Sequence, residues 1–347
     1  MKKRSNAYWD KRSMKRMKEY HKGADSTIQT VNDAYDKAKM DIQVMIDQIF
    51  ATFSKNGQLD PAAAKKMLNQ RIPNPLLAIA EKAYPKIKDK RIQKWLLAKI
   101  NAPAYRARIT RLEALKENVY LQSKIIADVE ITAGTNLYIK TMKDAYHRTM
   151  FDVQKGLGVG FAFASMPDKV IQNILKQPWA GKQFSSRIWD NTDVLAKQVN
   201  EVVTAGFVSG AGTAKMSKEL AERMDVGKHA ANRIVRTETT YMANMAEMES
   251  YEEAEIDEYM FLATLDKKTS KFCQNQDLKV YKVKDAMPGK NMPPMHPFCR
   301  STTRGYFGPK TFDNIQRRAR NPATGKNELV SASMAYPEWK EKYMKAG

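Results

Sequence analysis

The chain has 347 residues, 43% of them hydrophobic, enough for one or more buried cores and for two or three domains. Lys and Arg number 59 against 38 Asp and Glu, and the formal net charge of +21 exceeds what solubility needs and favours polyanionic partners, nucleic acid first. No apolar run approaches the ~18 residues that cross a bilayer, Met1 to Lys22 lacks the apolar centre of a signal peptide, and two cysteines cannot make a disulfide framework, so a cytoplasmic origin with free thiols is expected and no membrane partner.

The first 22 residues hold nine cations, Lys2, Lys3, Arg4, Lys11, Arg12, Lys15, Arg16, Lys18 and Lys22, with Tyr8, Trp9 and Tyr20 interleaved. Cations beside aromatic rings suit phosphates and bases, so this stretch is expected to be a basic arm contacting DNA; a solvated helix end is the plainer alternative. From Ile28 the apolar positions Val31, Tyr35, Ala38, Ile42, Met45, Ile49 and Phe53 alternate three and four apart, which predicts an amphipathic helix ended by Asn56-Gly57. Asp60-Pro61 opens a second helix to about Arg71, a third stretch reaches about Asn101, and after Pro103 the series from Ile109 to Val129 predicts a helix continuing to Lys155. An ordinary bundle core explains these stripes better than coiled-coil association.

Gly156-Leu-Gly-Val-Gly160 looks like a phosphate-cradling loop, but no strand precedes it and no helix-opening continuation follows, so a hinge or helix terminator is expected. Trp179, Gly181, Phe184, Ile188 and Trp189 predict a turn-rich plug between helices. Helices are then expected over 193–207, 213–224 and 228–251, the last carrying Arg236-Thr237-Glu238 and ending in an acidic run from Glu247 to Glu258 that reads as a solvated face.

Beyond this run the period changes. Segments 259–265, 280–283 and 301–307 are rich in aromatic, β-branched and alternating residues and predict three short strands. Between them lie both cysteines, Cys273 and Cys299, and the loop Pro293-Pro294-Met-His296-Pro297-Phe-Cys299-Arg300. His296 and Cys299 are three apart, so one turn can aim both at one point while the prolines stiffen the backbone. Such spacing suits either a metal ion or a locked turn.

In order along the chain, Trp179-x-Gly181, Phe184-Ser185-x-Arg187-Ile188-Trp189, Gly210, Arg236-Thr237-Glu238-Thr239, Asp266-x-x-Thr269-x-x-x-Cys273 and Pro293-Pro294-x-His296-Pro297-x-Cys299-Arg300 resemble the phage Mu F-like minor head proteins, also called phage head morphogenesis proteins. The matching positions run from about Pro178 to Phe307, and Tyr336-Pro337-Glu338-Trp339 also looks like the tail of many members. The resemblance implies a minor capsid protein of a tailed phage, made in the host cytoplasm and housed in the capsid interior of the virion. Its implied partners are the portal protein, other capsid or scaffolding proteins and double-stranded DNA, bound without sequence preference. A DNA-binding protein of a mobile element without a capsid role is the alternative.

The family loop usually ends Cys-Arg-Cys, whereas here Ser301 follows Arg300. Cys273, His296 and Cys299 therefore offer three soft ligands for a structural zinc, with Asp266 or Asp277 to supply a fourth. The competing account, preferred on the sequence, needs no cofactor: Asp266 and Thr269 cap a turn, His296 bonds the backbone and the cysteines are small core residues. No catalytic residues are expected. Arg236, Glu247 and Glu249 invite comparison with ADP-ribosyltransferases fused to some members of the wider family, but here all three fall on one predicted helix. A nuclease or Cys-His protease lacks a base or an orienting residue beside His296.

The expected fold is mostly α, an elongated helical array with a small C-terminal α+β module of about three short strands. Its divisions are a basic arm (1–22), a helical N-terminal domain (23–155), a helical middle domain (156–251), the Cys/His module (252–312) and a tail (313–347). The residues expected to matter in the module are Asp266, Thr269, Cys273, His296, Cys299 and Arg300, with Arg236 and Glu238 as a buttress in which Arg236 meets a carboxylate beneath the sheet.

Overall fold

The computed structural model describes residues 6–53, 60–102, 108–157, 163–306, 308, 316–321, 326–331 and 334–344. Lys2, Lys3, Arg4, Asn56-Gly57, Pro103, Gly158 and Gly160 lie outside them. Helices dominate: α1 (Asn6–Phe53), α2 (Pro61–Leu68), α3 (Leu76–Ala83), α4 (Lys90–Asn101), α5 (Arg111–Leu157), α6 (Asp168–Lys176), α7 (Phe184–Val208), α8 (Thr213–Glu253), α9 (Lys271–Gln276) and α10 (Tyr336–Met344). The mostly α expectation holds, and the three predicted strands form one antiparallel sheet with β3 (Glu258–Leu262) between β4 (Val280–Lys282) and β5 (Thr302–Gly305).

Several boundaries differ from the sequence reading. The basic segment and the amphipathic stretch after it are one continuous helix, α1, because no proline interrupts them. The stretch before Asn101 is two helices, since the Asp89 carboxylate accepts from the backbone N–H of Arg91 and Ile92 at 2.9 and 3.2 Å and caps α4 afresh. Conversely, α8 runs unbroken past Gly227. There a Cβ would stand 2.5 Å from Cε1 of Tyr35, so glycine serves close packing and not helix termination. Two short ladders escaped the sequence: β1 (Arg71–Pro73) with β2 (Arg108–Thr110), and β6 (Gln316–Arg320) with β7 (Asn327–Ser331).

Contacts divide the chain into two compact units, each assembled from separated stretches. One comprises Thr27–Thr135 and Phe184–Asn232. Its core gathers Tyr35, Ile42, Ile46, Phe50, Leu115, Val119, Leu195, Val199, Phe207 and Leu220, with the rings of Phe50 and Phe207 at 5.5 Å. Within it the Tyr35 hydroxyl donates to the buried carboxylate of Glu130 at 2.8 Å, and burial pushes that carboxyl up to about 8 despite the Tyr35 bond. The Lys124 ammonium lies 3.7 Å from the Trp189 ring centre and pairs with Asp193.

The other unit comprises Met1–Ser26, Asn136–Gln183 and Arg233–Gly347. The three-stranded sheet lies in it, above the C-terminal half of α8. The hairpin and α10 close over one end, where Tyr336 and Trp339 pack with Leu265, Ala319 and Val330. Asp277 ties this end together, because its two carboxylate oxygens accept from the backbone N–H of Ala263 and Tyr336 at 2.9 and 3.0 Å.

Candidate functional site

A buried polar stripe on α8 positions the Cys/His corner. Thr237, Thr240, Asn244 and Glu247 follow one another at spacings of three, four and three, the face of a single helix. Thr237 Oγ1 accepts from the Phe298 N–H at 3.1 Å, and the Thr240 hydroxyl donates to the Cys299 carbonyl at 2.7 Å. Glu247 accepts from the hydroxyls of Thr303 and Thr302 at 2.8 and 3.3 Å. The stripe thus grips residues 298 to 303 in sequence order, fixing both the loop and strand β5 that leaves it. Phe298 sits at φ 59, a left-handed backbone that its hydrogen bond to Thr237 helps to hold.

Asp266, Thr269, Cys273, His296, Cys299 and Arg300 all come together here. Asp266 takes both terminal nitrogens of the Arg300 guanidinium, one at 2.8 Å, and also accepts from the Lys268 N–H and the Thr269 hydroxyl. Burial works against the Asp266 carboxylate, yet Arg300 and these donors outweigh it and hold the group below the usual range. The Thr264 hydroxyl donates to the Arg300 carbonyl at 3.1 Å, so the far side of the loop is bound to the end of β3.

Cys273 reaches the corner from α9, whose N-cap Ser270 accepts from the Cys273 N–H. Its sulfur lies 3.6 Å from that of Cys299 and 3.3 Å from His296 Nε2. Nδ1 of His296 is 2.7 Å from the Pro297 carbonyl, which makes it the protonated nitrogen and turns the Nε2 lone pair toward the sulfurs. The neighbouring Cys273 thiol, ahead of the influence of His296, holds the Cys299 thiol well below its ordinary value against its burial. Hydrogen bonding to Cys299, then burial, pushes Cys273 up.

Neither carboxylate expected to complete a zinc site does so. Asp266 is committed to Arg300 and Asp277 to the backbone, and among the described residues only Cys273, His296 and Cys299 group their donor atoms within 4.8 Å of one another. Elsewhere, Arg236 does not meet a carboxylate beneath the sheet. It donates to the His21 carbonyl at 2.7 Å and pairs with the exposed Asp25, because its long side chain leaves α8 on the face toward α1. The carboxylate beneath the sheet is Glu247, read from the sequence as solvated but fully buried, with the Arg16 guanidinium 3.6 Å away. Both oxygens of Glu238 accept from Trp179 Nε1 at 3.2 Å, and the Trp179 ring stacks on Tyr241 at 4.9 Å.

Of the cations expected to meet DNA, Arg12 and Arg16 are drawn inward to Asp152, and Arg16 is 4% exposed. Lys11, Lys15, Lys18 and Lys22 are exposed at spacings of four, three and four, one outward stripe of α1. His21 and Thr240 escape the sequence reading, which includes Thr237 and Glu247 but not the contacts they make with the loop and strand β5. The i, i+3 spacing of the two threonines beside an invitingly charged Arg-x-Glu pair was the available signal for the stripe.

Residues 197–304 match the family described as Phage Mu protein F like protein. An NAD(+)-arginine ADP-ribosyltransferase of Enterococcus faecalis is 26% identical over 144 residues, which is 40% of this chain but only 30% of that relative. No solved structure matches significantly. The matched segment includes α8, the polar stripe and the whole Cys/His corner.

Proposed function

We propose that the protein is a minor capsid component of a tailed phage, acting at or near the portal in head assembly or in handling packaged DNA, and binding duplex DNA without reading its sequence. The family match supports a phage head morphogenesis protein located in the virion and associated with other capsid components. Among the described residues no helix is long and apolar enough to cross a membrane.

The outward lysine stripe of α1 is the observation that carries the DNA-binding part. Lys11 to Lys22 rises about 16 Å along the helix, and a row of ammonium groups with no planar donor fork neutralises phosphates without distinguishing bases. Head proteins confined with packaged genome meet phosphate at every approach, and a chain of +21 supplies counterion release in proportion to its contacts. The role is structural and not catalytic. Glu247, one of the three residues that suggested a transferase, is spent on Thr302, Thr303 and Arg16, while Arg236 is held by His21 and Asp25.

Gel retardation of duplex DNA over a salt series tests the reading. Each phosphate contact contributes roughly 0.9 to the slope of log affinity against log salt. Changing Lys11, Lys15, Lys18 and Lys22 together to Gln should flatten that slope by up to about 3.6. Wild-type protein that shows no salt-sensitive association would end the DNA-binding proposal. Its absence from purified procapsids containing portal would end the capsid one.

A further inference from the structure

We infer that Cys273, His296 and Cys299 bind one zinc ion through Sγ, Nε2 and Sγ, with the fourth position toward Ser301. The separations fit. Tetrahedral zinc with ordinary bond lengths sets sulfur–sulfur and sulfur–nitrogen edges of about 3.8 and 3.6 Å, and the sulfurs stand 3.6 Å apart with Nε2 3.3 Å from Cys273. Small outward shifts of the three donors make room for the ion.

The surroundings supply what a thiolate site requires. Cys299 lies fully buried 3.6 Å from the Cys273 sulfur, where a cation would offset the cost of burying the charge of a thiolate. His296 Nδ1 is occupied by the Pro297 carbonyl, so the ring presents the correct nitrogen in a fixed orientation. Thr240 holds the carbonyl of one ligand residue and Ser270 the N–H of another, which pre-sets both cysteine backbones. Phe261, Ala263, Tyr281 and Met295 wall the sulfurs, while His296 is only partly buried and leaves a way in for the ion. The simpler account, cysteines as small core residues, explains their burial but not the convergence of three donor side chains on one point. Zinc binds both sulfurs as thiolates, so uptake releases their remaining protons to solvent.

The full chain, purified with a reductant and passed through gel filtration, should retain about one zinc per chain, and Cys299→Ser and His296→Ala should each lower retention by roughly tenfold or more. In case a variant does not fold, cobalt(II) titration of the wild-type chain gives an independent reading: intense visible absorption and a sulfur-to-cobalt band, saturating near equivalence. Ser301→Cys should slow zinc release to a chelator by roughly tenfold. Wild-type protein with substoichiometric zinc and no cobalt spectrum overturns the inference. So does a Cys273–Cys299 disulfide in chain prepared with zinc present, or zinc retained by Cys273→Ser combined with Cys299→Ser. Release from Ser301→Cys as fast as from wild type would overturn the placement of position 301 at the metal. All these readouts are independent of DNA binding.

Discussion

The helical unit around Phe207 and the Cys/His corner hold their shapes by different means. Among the described residues, the first gathers 22 buried apolar residues in one cluster, the second four, two of which are the cysteines themselves. Burying one large aliphatic or aromatic side chain contributes roughly 1.5–3 kcal/mol, so a core of that size can define helix positions by packing alone. A four-residue cluster cannot define a loop rich in proline and polar backbone. The corner relies instead on directed contacts from the α8 stripe, on the Asp266–Arg300 pair and, by the inference above, on zinc. Packing tolerates change gradually; a directed network fails at single atoms.

That difference can be broken deliberately. Phe207→Ala should cost about 3–5 kcal/mol through the cavity left against Phe50, seen as a lower denaturation midpoint in urea with zinc content unchanged. A midpoint equal to wild type would mean that packing is not what holds the helical unit.

Glu130 gives a pH-dependent effect of the next size. Its carboxyl, ordinarily at 4.5, titrates near 8 in the native state. Below pH 4.5 both native and unfolded chains keep the proton and nothing is lost. Between 4.5 and 8 the unfolded chain ionises while the native one does not, so stability falls as pH rises and the loss levels off above 8. Glu130→Gln keeps an acceptor for Tyr35 and removes this loss. Melting curves should coincide near pH 4 and separate in favour of the variant by pH 8; a constant offset across that range would contradict the assigned origin.

The smallest stability effect belongs to the corner. Thr240→Val preserves shape but orphans the buried Cys299 carbonyl, at about 1–3 kcal/mol, and zinc should leave the variant faster in a chelator assay. Unaltered zinc release would show that the stripe supports the sheet without tensioning the metal loop.

The outline of the corner was legible because its residues are chemically unusual. Two cysteines, a histidine and closely spaced prolines stand out in any chain, and period-two segments flank them. Its foundations were not. Thr237, Thr240 and Glu247 are ordinary on a helix, and the acidic run that begins at Glu247 suggested solvent, whereas the cation that keeps Glu247 company, Arg16, lies 231 positions earlier in the sequence. Arg236 drew attention by its charge, yet its partners, His21 and Asp25, are similarly distant in sequence.

Periodicity, punctuation by proline and glycine, and the rarity of cysteine were enough to establish a helical protein ending in a small sheet with a Cys/His loop, since each is a local property written over a few turns of chain. Which polar side chains would be buried, that Gly227 marks close approach and not a helix end, and that four lysines face out while Arg12 and Arg16 face in all depend on partners far away along the chain. Those partners are brought near only by packing, and no local pattern carries their identity.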